Sequence, residues 1–340
     1  MIRTGVIGYG LGGMAFHAPL IAAVPELELA AIATSRVDAV RERYADVAVT
    51  DAKTLIADPS IQLVAISTPN DSHFPLAKAA LEAGKHVVID KPFVNSIEDG
   101  EALIALAAER GLVLSAFHNR RWDADLLTVA KLLESGRLGD VRLAELRWDR
   151  YRPEVSTLWR DKPGVGSGML ADLGPHLIDQ ALLLFGMPEA LSADVAVQRD
   201  GAVTDDYFEI TFHYGVRRVI LSASRLIAAA RPRFALHGTN GGFVKYGLDP
   251  QEPSMKIGGS PNASDYGVEE PANYGVLTLG DGTTEIIASE RGDYRRYYSG
   301  IGRAIADRTP APVSASDAVA GLRIMALARQ SSAEGRRISL

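Results

Sequence analysis

Up to residue 121 the chain alternates between two kinds of pattern. Short, continuously apolar runs at TGVIG (4–8), LELAAIAT (27–34), LVAIST (63–68), HVVID (86–90) and LVLSAF (112–117) predict strands. Between them, HFPLAKAALEAG (73–84) and IEDGEALIALAAERG (97–111) repeat apolar residues at helical spacing. Strands apolar throughout are buried on both faces. The pattern therefore predicts a parallel sheet with helices on each side, a doubly wound α/β domain of the Rossmann kind.

From residue 122 the pattern changes. A helix, DADLLTVAKLLESG (123–136), ends at a glycine and leads into the alternating run VRLAELRWDRY (141–151). A Gly-rich loop and a further helix follow. Strand-like runs then come in succession: SADVAVQ (192–198), YFEITFHY (207–214), RRVILSAS (217–224), RFALHG (233–238), GFVKYG (242–247) and GVLTLG (275–280). ITFHYGVRRVIL reads as a hairpin turned at Tyr214–Gly215. Helical stretches at 293–307 and 315–334 end the chain. The expectation is α/β overall: a dinucleotide-binding Rossmann domain at 1–121, then an α+β domain at 122–340 for substrate binding and oligomerisation. The second domain is built on a large, open-faced, mostly antiparallel sheet, and the C-terminal helices are candidates to pack back on the first domain.

Length agrees, since 340 residues exceed one ordinary core. A net charge of −6 without a basic block argues against nucleic acid as a partner. The absence of cysteine excludes disulfides, a thiolate nucleophile and Cys-ligated zinc. With few clustered histidines, no metal is expected. The N-terminal MIRTGVIGYG enters a strand at once, and no apolar run approaches a membrane span. A cytoplasmic protein is the expectation.

Chemistry enters with VIGYGLGG. Gly8-x-Gly10-x-x-Gly13 follows a predicted strand and precedes a helix. Gly8 permits the tight turn, Gly10 lets the backbone approach a pyrophosphate, and Gly13 allows close helix–sheet packing. Tyr9 and Leu11 complete the cofactor loop. In NAD-binding versions an acid about 20 residues on bonds the ribose 2′-hydroxyl. Here the second strand ends in Thr34, Ser35 and Arg36. A hydroxyl and a guanidinium suit a 2′-phosphate, so NADP is expected over NAD.

Ligands of doubly wound sheets lie beyond the carboxyl ends of the strands. The third such end, STPNDSH, places Thr68, Pro69, Asn70 and His73 there; Asn70, Asp71 and Ser72 are also good helix-capping residues. The fourth carries Asp90, Lys91 and Pro92, the fifth His118, Asn119 and Arg120. In the second domain Asp172 and His176 are spaced i, i+4 on one helix face. They read either as a capping acid beside a core histidine or as a dyad in which the carboxylate orients a proton-moving imidazole. Pro175 is tolerable if that helix begins near Asp172.

The motifs GYGLGG, TPNDSHFPLAKAALEAGKHVVIDKPF, FHNRRWD and DLGPHLIDQ resemble the family of glucose–fructose oxidoreductase, inositol dehydrogenase and related sugar dehydrogenases (Gfo/Idh/MocA). The resemblance runs over essentially the whole chain. Through TSR, HNRRWD and KYGLDPQE it is similar above all to the NADP-dependent scyllo-inositol dehydrogenases. One departure is Asp90 where the family more often has Glu before Lys-Pro. The resemblance implies a dehydrogenase of a cyclic polyol or sugar hydroxyl, with Lys91 projecting to the nicotinamide. On that basis His176 is the expected proton acceptor, Asp172 its orienter, and Lys91 the stabiliser of charge on the reacting oxygen. Asn119, Arg120, Trp159 and Tyr246 are candidate polyol contacts. Competing readings are another aldose, a trans-dihydrodiol or biliverdin as substrate, or a non-catalytic NADP-sensing regulator. An apolar sheet face predicts a homodimer or a dimer of dimers.

Overall fold

The computed structural model describes residues 1–156, 161–164 and 166–340. Two sheets organise it. The first contains β1 (Ile2–Ile7), β2 (Leu27–Ala33), β3 (Ala48–Thr50), β4 (Leu63–Ile66), β5 (His86–Ile89) and β6 (Leu114–Ala116), in the order β3-β2-β1-β4-β5-β6. Every pair is parallel. This is the doubly wound order, with its topological switch between β1 and β4. β4 is buried along its whole length and β5 in its last three residues, as their uninterrupted apolar runs require. Helices α1 (Ala18–Ala23), α2 (Val37–Arg43), α3 (Ala52–Ala57), α4 (His73–Glu82) and α5 (Ile97–Arg110) connect the strands. Before α1 comes a π-helical turn, Gly13–His17.

The second sheet has nine strands: β7 (Val141–Arg147), β8 (Ala190–Ala196), β9 (Tyr207–Tyr214), β10 (Arg217–Ser224), β11 (Phe234–Gly238), β12 (Gly241–Lys245), β13 (Gly275–Leu279), β14 (Thr284–Ile287) and β15 (Ile338–Ser339). Their order is β14-β13-β12-β11-β7-β10-β9-β8-β15, antiparallel except for β7 beside β10. Alternate residues such as Phe208, Ile210 and Phe212 face a core. That core also takes Leu126, Val129 and Leu132 from α6 (Ala124–Glu134) and Leu173, Leu177 and Ile178 from α7 (Met169–Phe185). The remaining helices are α8 (Gln251–Lys256), α9 (Arg295–Asp307) and α10 (Ala315–Glu334).

The chain forms two compact units. One comprises Met1–Trp122, Gln251–Tyr266 and Asp293–Ala320; the other comprises Asp123–Pro250, Gly267–Gly292 and Gly321–Leu340. Among the described residues no helix is long and apolar enough to cross a membrane.

Two local expectations are corrected. The hairpin pairs Tyr214 with Arg217, so Gly215 and Val216 form its turn, with Gly215 at φ +55°. And α7 begins at Met169, not near Asp172, leaving Pro175 inside the helix. The earlier start is secured from outside the helix. The Asp205 carbonyl accepts from Met169 N–H and its carboxylate from Leu170 N–H, each at 2.7 Å.

Candidate active site

In the first unit the glycine loop has the geometry that the spacing predicts. Gly8 has φ +100°, and a Cβ there would lie 2.2 Å from the Ser67 carbonyl oxygen. A Cβ on Gly13 would lie 2.0 Å from the Gly8 carbonyl oxygen. Gly10 differs: a Cβ there would meet nothing within 4 Å. The first and third glycines are thus demanded by the protein's own packing, and the second faces open space where a bound pyrophosphate fits. Tyr9 is buried and Leu11 exposed.

At the end of β2, Ser35 and Arg36 are both exposed, and Arg36 N–H donates to Thr34 Oγ1 at 3.1 Å. Among the described residues Arg36 has no ion-pair partner, and no carboxylate stands at the strand end itself. Those residues fit the extra phosphate of NADP and offer nothing that would repel it.

The ends of β4 and β5 are tied together. His73 sets Nδ1 2.9 Å from the Pro92 carbonyl oxygen and Nε2 2.9 Å from that of Thr68. Ser72 Oγ donates to the Pro69 carbonyl at 2.6 Å, which leaves it to accept from the Thr68 hydroxyl at 2.7 Å. Asp90 accepts from Lys91 N–H at 2.8 Å and from Ser67 Oγ at 2.9 Å. Burial opposes charge on Asp90, but the His17 ring, Lys91 and His73 outweigh it and pull the carboxyl down to about 2. Lys91 is half-buried and precedes a cis bond to Pro92. Beyond β6, His118, Asn119 and Arg120 are buried, and Arg120 forms an ion pair with Glu252. A candidate polyol ligand is therefore also engaged within the protein.

In the second unit Asp172, His176 and Asp179 lie on α7, each buried. The His176 ring is 6.1 Å from that of Trp148, tilted by 33°. Two features nearby were not singled out from sequence. Arg199 binds Asp206 and Asp161, each at 2.8 Å, and Asp161 also accepts from Ser156 N–H and Oγ. Burial opposes the Asp161 charge, but the Ser156 and Arg199 hydrogen bonds pull it down to about 2. Arg225, buried just after β10, has its pKa lowered by burial, against the opposing pull of Asp161 and Asp172. Nothing in the local sequence SASRLI marks Arg225 as different from a solvated arginine. Tyr246 is 49 % exposed beside Lys245, whose ammonium is buried against Glu269 at 2.7 Å. Trp159 lies outside the described residues.

Residues 2–118 match the model of an oxidoreductase family's NAD-binding Rossmann fold, and residues 130–340 that of the same family's C-terminal alpha/beta domain. The chain belongs to the Gfo/Idh/MocA oxidoreductase family. It is 41 % identical to the scyllo-inositol 2-dehydrogenase (NADP(+)) IolW of Bacillus subtilis, over all of this chain and 96 % of that protein. It is 46 % identical to the uncharacterized oxidoreductase YdgJ of Escherichia coli, over 97 % of this chain and 96 % of that one. The solved structure of YvaA from Bacillus subtilis superposes with a TM-score of 0.96 at 41 % identity, covering 100 % of this chain and 98 % of that one. The first unit's sheet is thus an NAD(P)-binding Rossmann sheet, and the nine-stranded second sheet lies within the residues that match the family's C-terminal domain.

Proposed function

We propose that this Gfo/Idh/MocA protein is an NADP-dependent dehydrogenase of a ring hydroxyl on a cyclic polyol, with scyllo-inositol as the substrate to try first. The observation that carries the cofactor choice is the exposed Arg36 beside Ser35 at the end of β2, without an ion-pair partner among the described residues. The polyol class is supported by the full-length likeness to IolW. Bound NADP supplies the hydride-accepting nicotinamide. Lys91 donates a hydrogen bond to the substrate oxygen as negative charge grows there. His176 takes the hydroxyl proton, and Asp172, one turn earlier on the same helix face, orients the imidazole. Asn119, Arg120, Trp159 and Tyr246 are proposed contacts to the other hydroxyls. The protein acts as a homodimer or homotetramer.

The test follows NADPH absorbance with NADP⁺ and scyllo-inositol, with NAD⁺ and myo-inositol in parallel. Reduction of NADP⁺ by scyllo-inositol is expected. Lys91→Ala, Asp172→Ala and His176→Ala are each expected to lower turnover at least ~10²-fold while NADPH still binds. Unchanged turnover in one of them removes that residue from the scheme. A preference for NAD⁺ makes Arg36 an ordinary helix-start residue. Tight NADPH binding without turnover of any polyol favours a sensor instead.

A further inference from the structure

Gly12 is a fourth glycine in the loop, at a position that the Gly8-x-Gly10-x-x-Gly13 spacing does not require. Its backbone is ordinary helix at φ −62°, ψ −53°. Yet a Cβ there would lie 2.3 Å from Ser67 Oγ and 2.5 Å from Asp90 Oδ2. The loop rests directly on the Asp90 carboxylate, and Gly12 is glycine to let it do so. The same carboxylate accepts from Lys91 N–H and Ser67 Oγ.

A third group reaches it. His17 is fully buried, with Nε2 3.4 Å from Asp90 Oδ2 and Nδ1 2.5 Å from the Tyr298 hydroxyl. Burial raises the Tyr298 phenol well above its usual range, so it remains protonated. An N–H on Nε2 facing the carboxylate leaves a lone pair on Nδ1 for the Tyr298 O–H. That tautomer satisfies Nδ1 and points the buried Nε2, which has no other hydrogen-bond partner among the described residues, at Asp90 from ion-pair distance. The π-helical turn Gly13–His17 delivers His17 to this place, and Phe117 packs against its ring at 4.2 Å.

We propose that His17 is a positioning residue that, through Asp90, couples the glycine loop to the backbone of Lys91. Losing it loosens the cofactor loop and misdirects Lys91 together. The proposal rests on the cofactor and Lys91 roles given above. Its test is NADPH affinity by fluorescence titration (or NADH, if the wild type binds that more tightly), which needs no substrate. Wild-type binding without polyol turnover would overturn the activity and leave this test intact. Wild type that binds neither nucleotide overturns both.

His17→Gln and Asp90→Asn are each expected to weaken binding about tenfold or more, the scale of losing one polar contact to a buried charged group. The double variant is expected to be no weaker than the worse single, because both break one link. Tyr298→Phe deletes a single oxygen and keeps the ring packing, so it serves where the others fail to fold; a loss of about two- to tenfold is expected. Tyr297→Phe is the control. Tyr297 sits on the same helix but bonds Ser115 at 2.8 Å. It is expected to lower the melting temperature of the cofactor-free protein without weakening NADPH binding. Wild-type affinity in Tyr298→Phe and His17→Gln overturns the proposal. So do singles whose losses multiply in the double, or a Tyr297→Phe loss equal to that of Tyr298→Phe.

Discussion

Two carboxylates, Asp90 in the first unit and Asp161 in the second, are held at about 2 against an ordinary 3.8. A carboxyl depressed on folding stabilises the native state fully above its unfolded pKa, and the contribution drains away as pH falls through the folded value. The window here is pH 3.8 to about 2. For the largely buried Asp90 the shift corresponds to about 2 kcal/mol. Urea midpoints are expected to hold steady down to that window and fall inside it. Asp161→Asn is expected to be less stable at neutral pH and to lose part of the acid slope. A wild-type slope in that variant would mean that Asp161 is not depressed in the folded protein. At this scale the sequence exposes residue types but not their partners. Arg36 stands out because a missing acid at a strand end is a local fact. His17, Tyr298 and Gly12 do not, because their meaning comes from a carboxylate more than seventy residues away from either neighbourhood.

Elements were legible where they were long. Strands β9 and β10 coincide with the alternation at 207–214 and 217–224, and the helical spacing at 97–111 and 315–334 with α5 and α10. Strands β3 and β15, of three and two residues, are too short for any period to register. The start of α7 was misread because its cap is not adjacent. Gly168, the N-cap, carries no side-chain hydrogen bond and has φ +90°, and a Cβ there would lie 2.3 Å from Asp205 Oδ1. The helix that carries Asp172 and His176 is therefore capped by a loop residue 35 positions downstream. Asp205→Ala is expected to cost about 1 kcal/mol, the usual worth of a lost N-terminal cap. Asp205→Asn, which keeps an acceptor for Leu170 N–H but loses the charge near Arg329, is expected to fall between it and wild type. Equal urea midpoints for Asp205→Ala and wild type would show that the first turn of α7 is satisfied in another way.

At the scale of the whole molecule, pattern was least informative. No local feature announces that Gln251–Tyr266 groups with residues hundreds of positions earlier, or that β7 and β10 run parallel inside an otherwise antiparallel sheet. The outer face of that sheet nonetheless has a readable register. Ile220 stands beside Glu145, Glu145 beside Ala235, and then Val244, Val276 and Ile286 continue the row across neighbouring strands. Their chain neighbours Val219, Leu221, Phe243 and Leu277 point into the core, so this row points away from it. Val276 is 40 % and Ile286 71 % exposed in the single chain. An apolar row along an open sheet, interrupted by the paired Glu145 and Arg147, is where the homo-oligomer proposed above would place its second copy. Sedimentation of the wild type is expected to give a dimer or a tetramer. Ile220→Glu combined with Val276→Glu sets like charges on the row without touching the core, and is expected to yield monomers that keep their far-UV spectrum. A wild type that sediments as a monomer, or a double variant that keeps the wild-type mass, would place any contact between copies elsewhere.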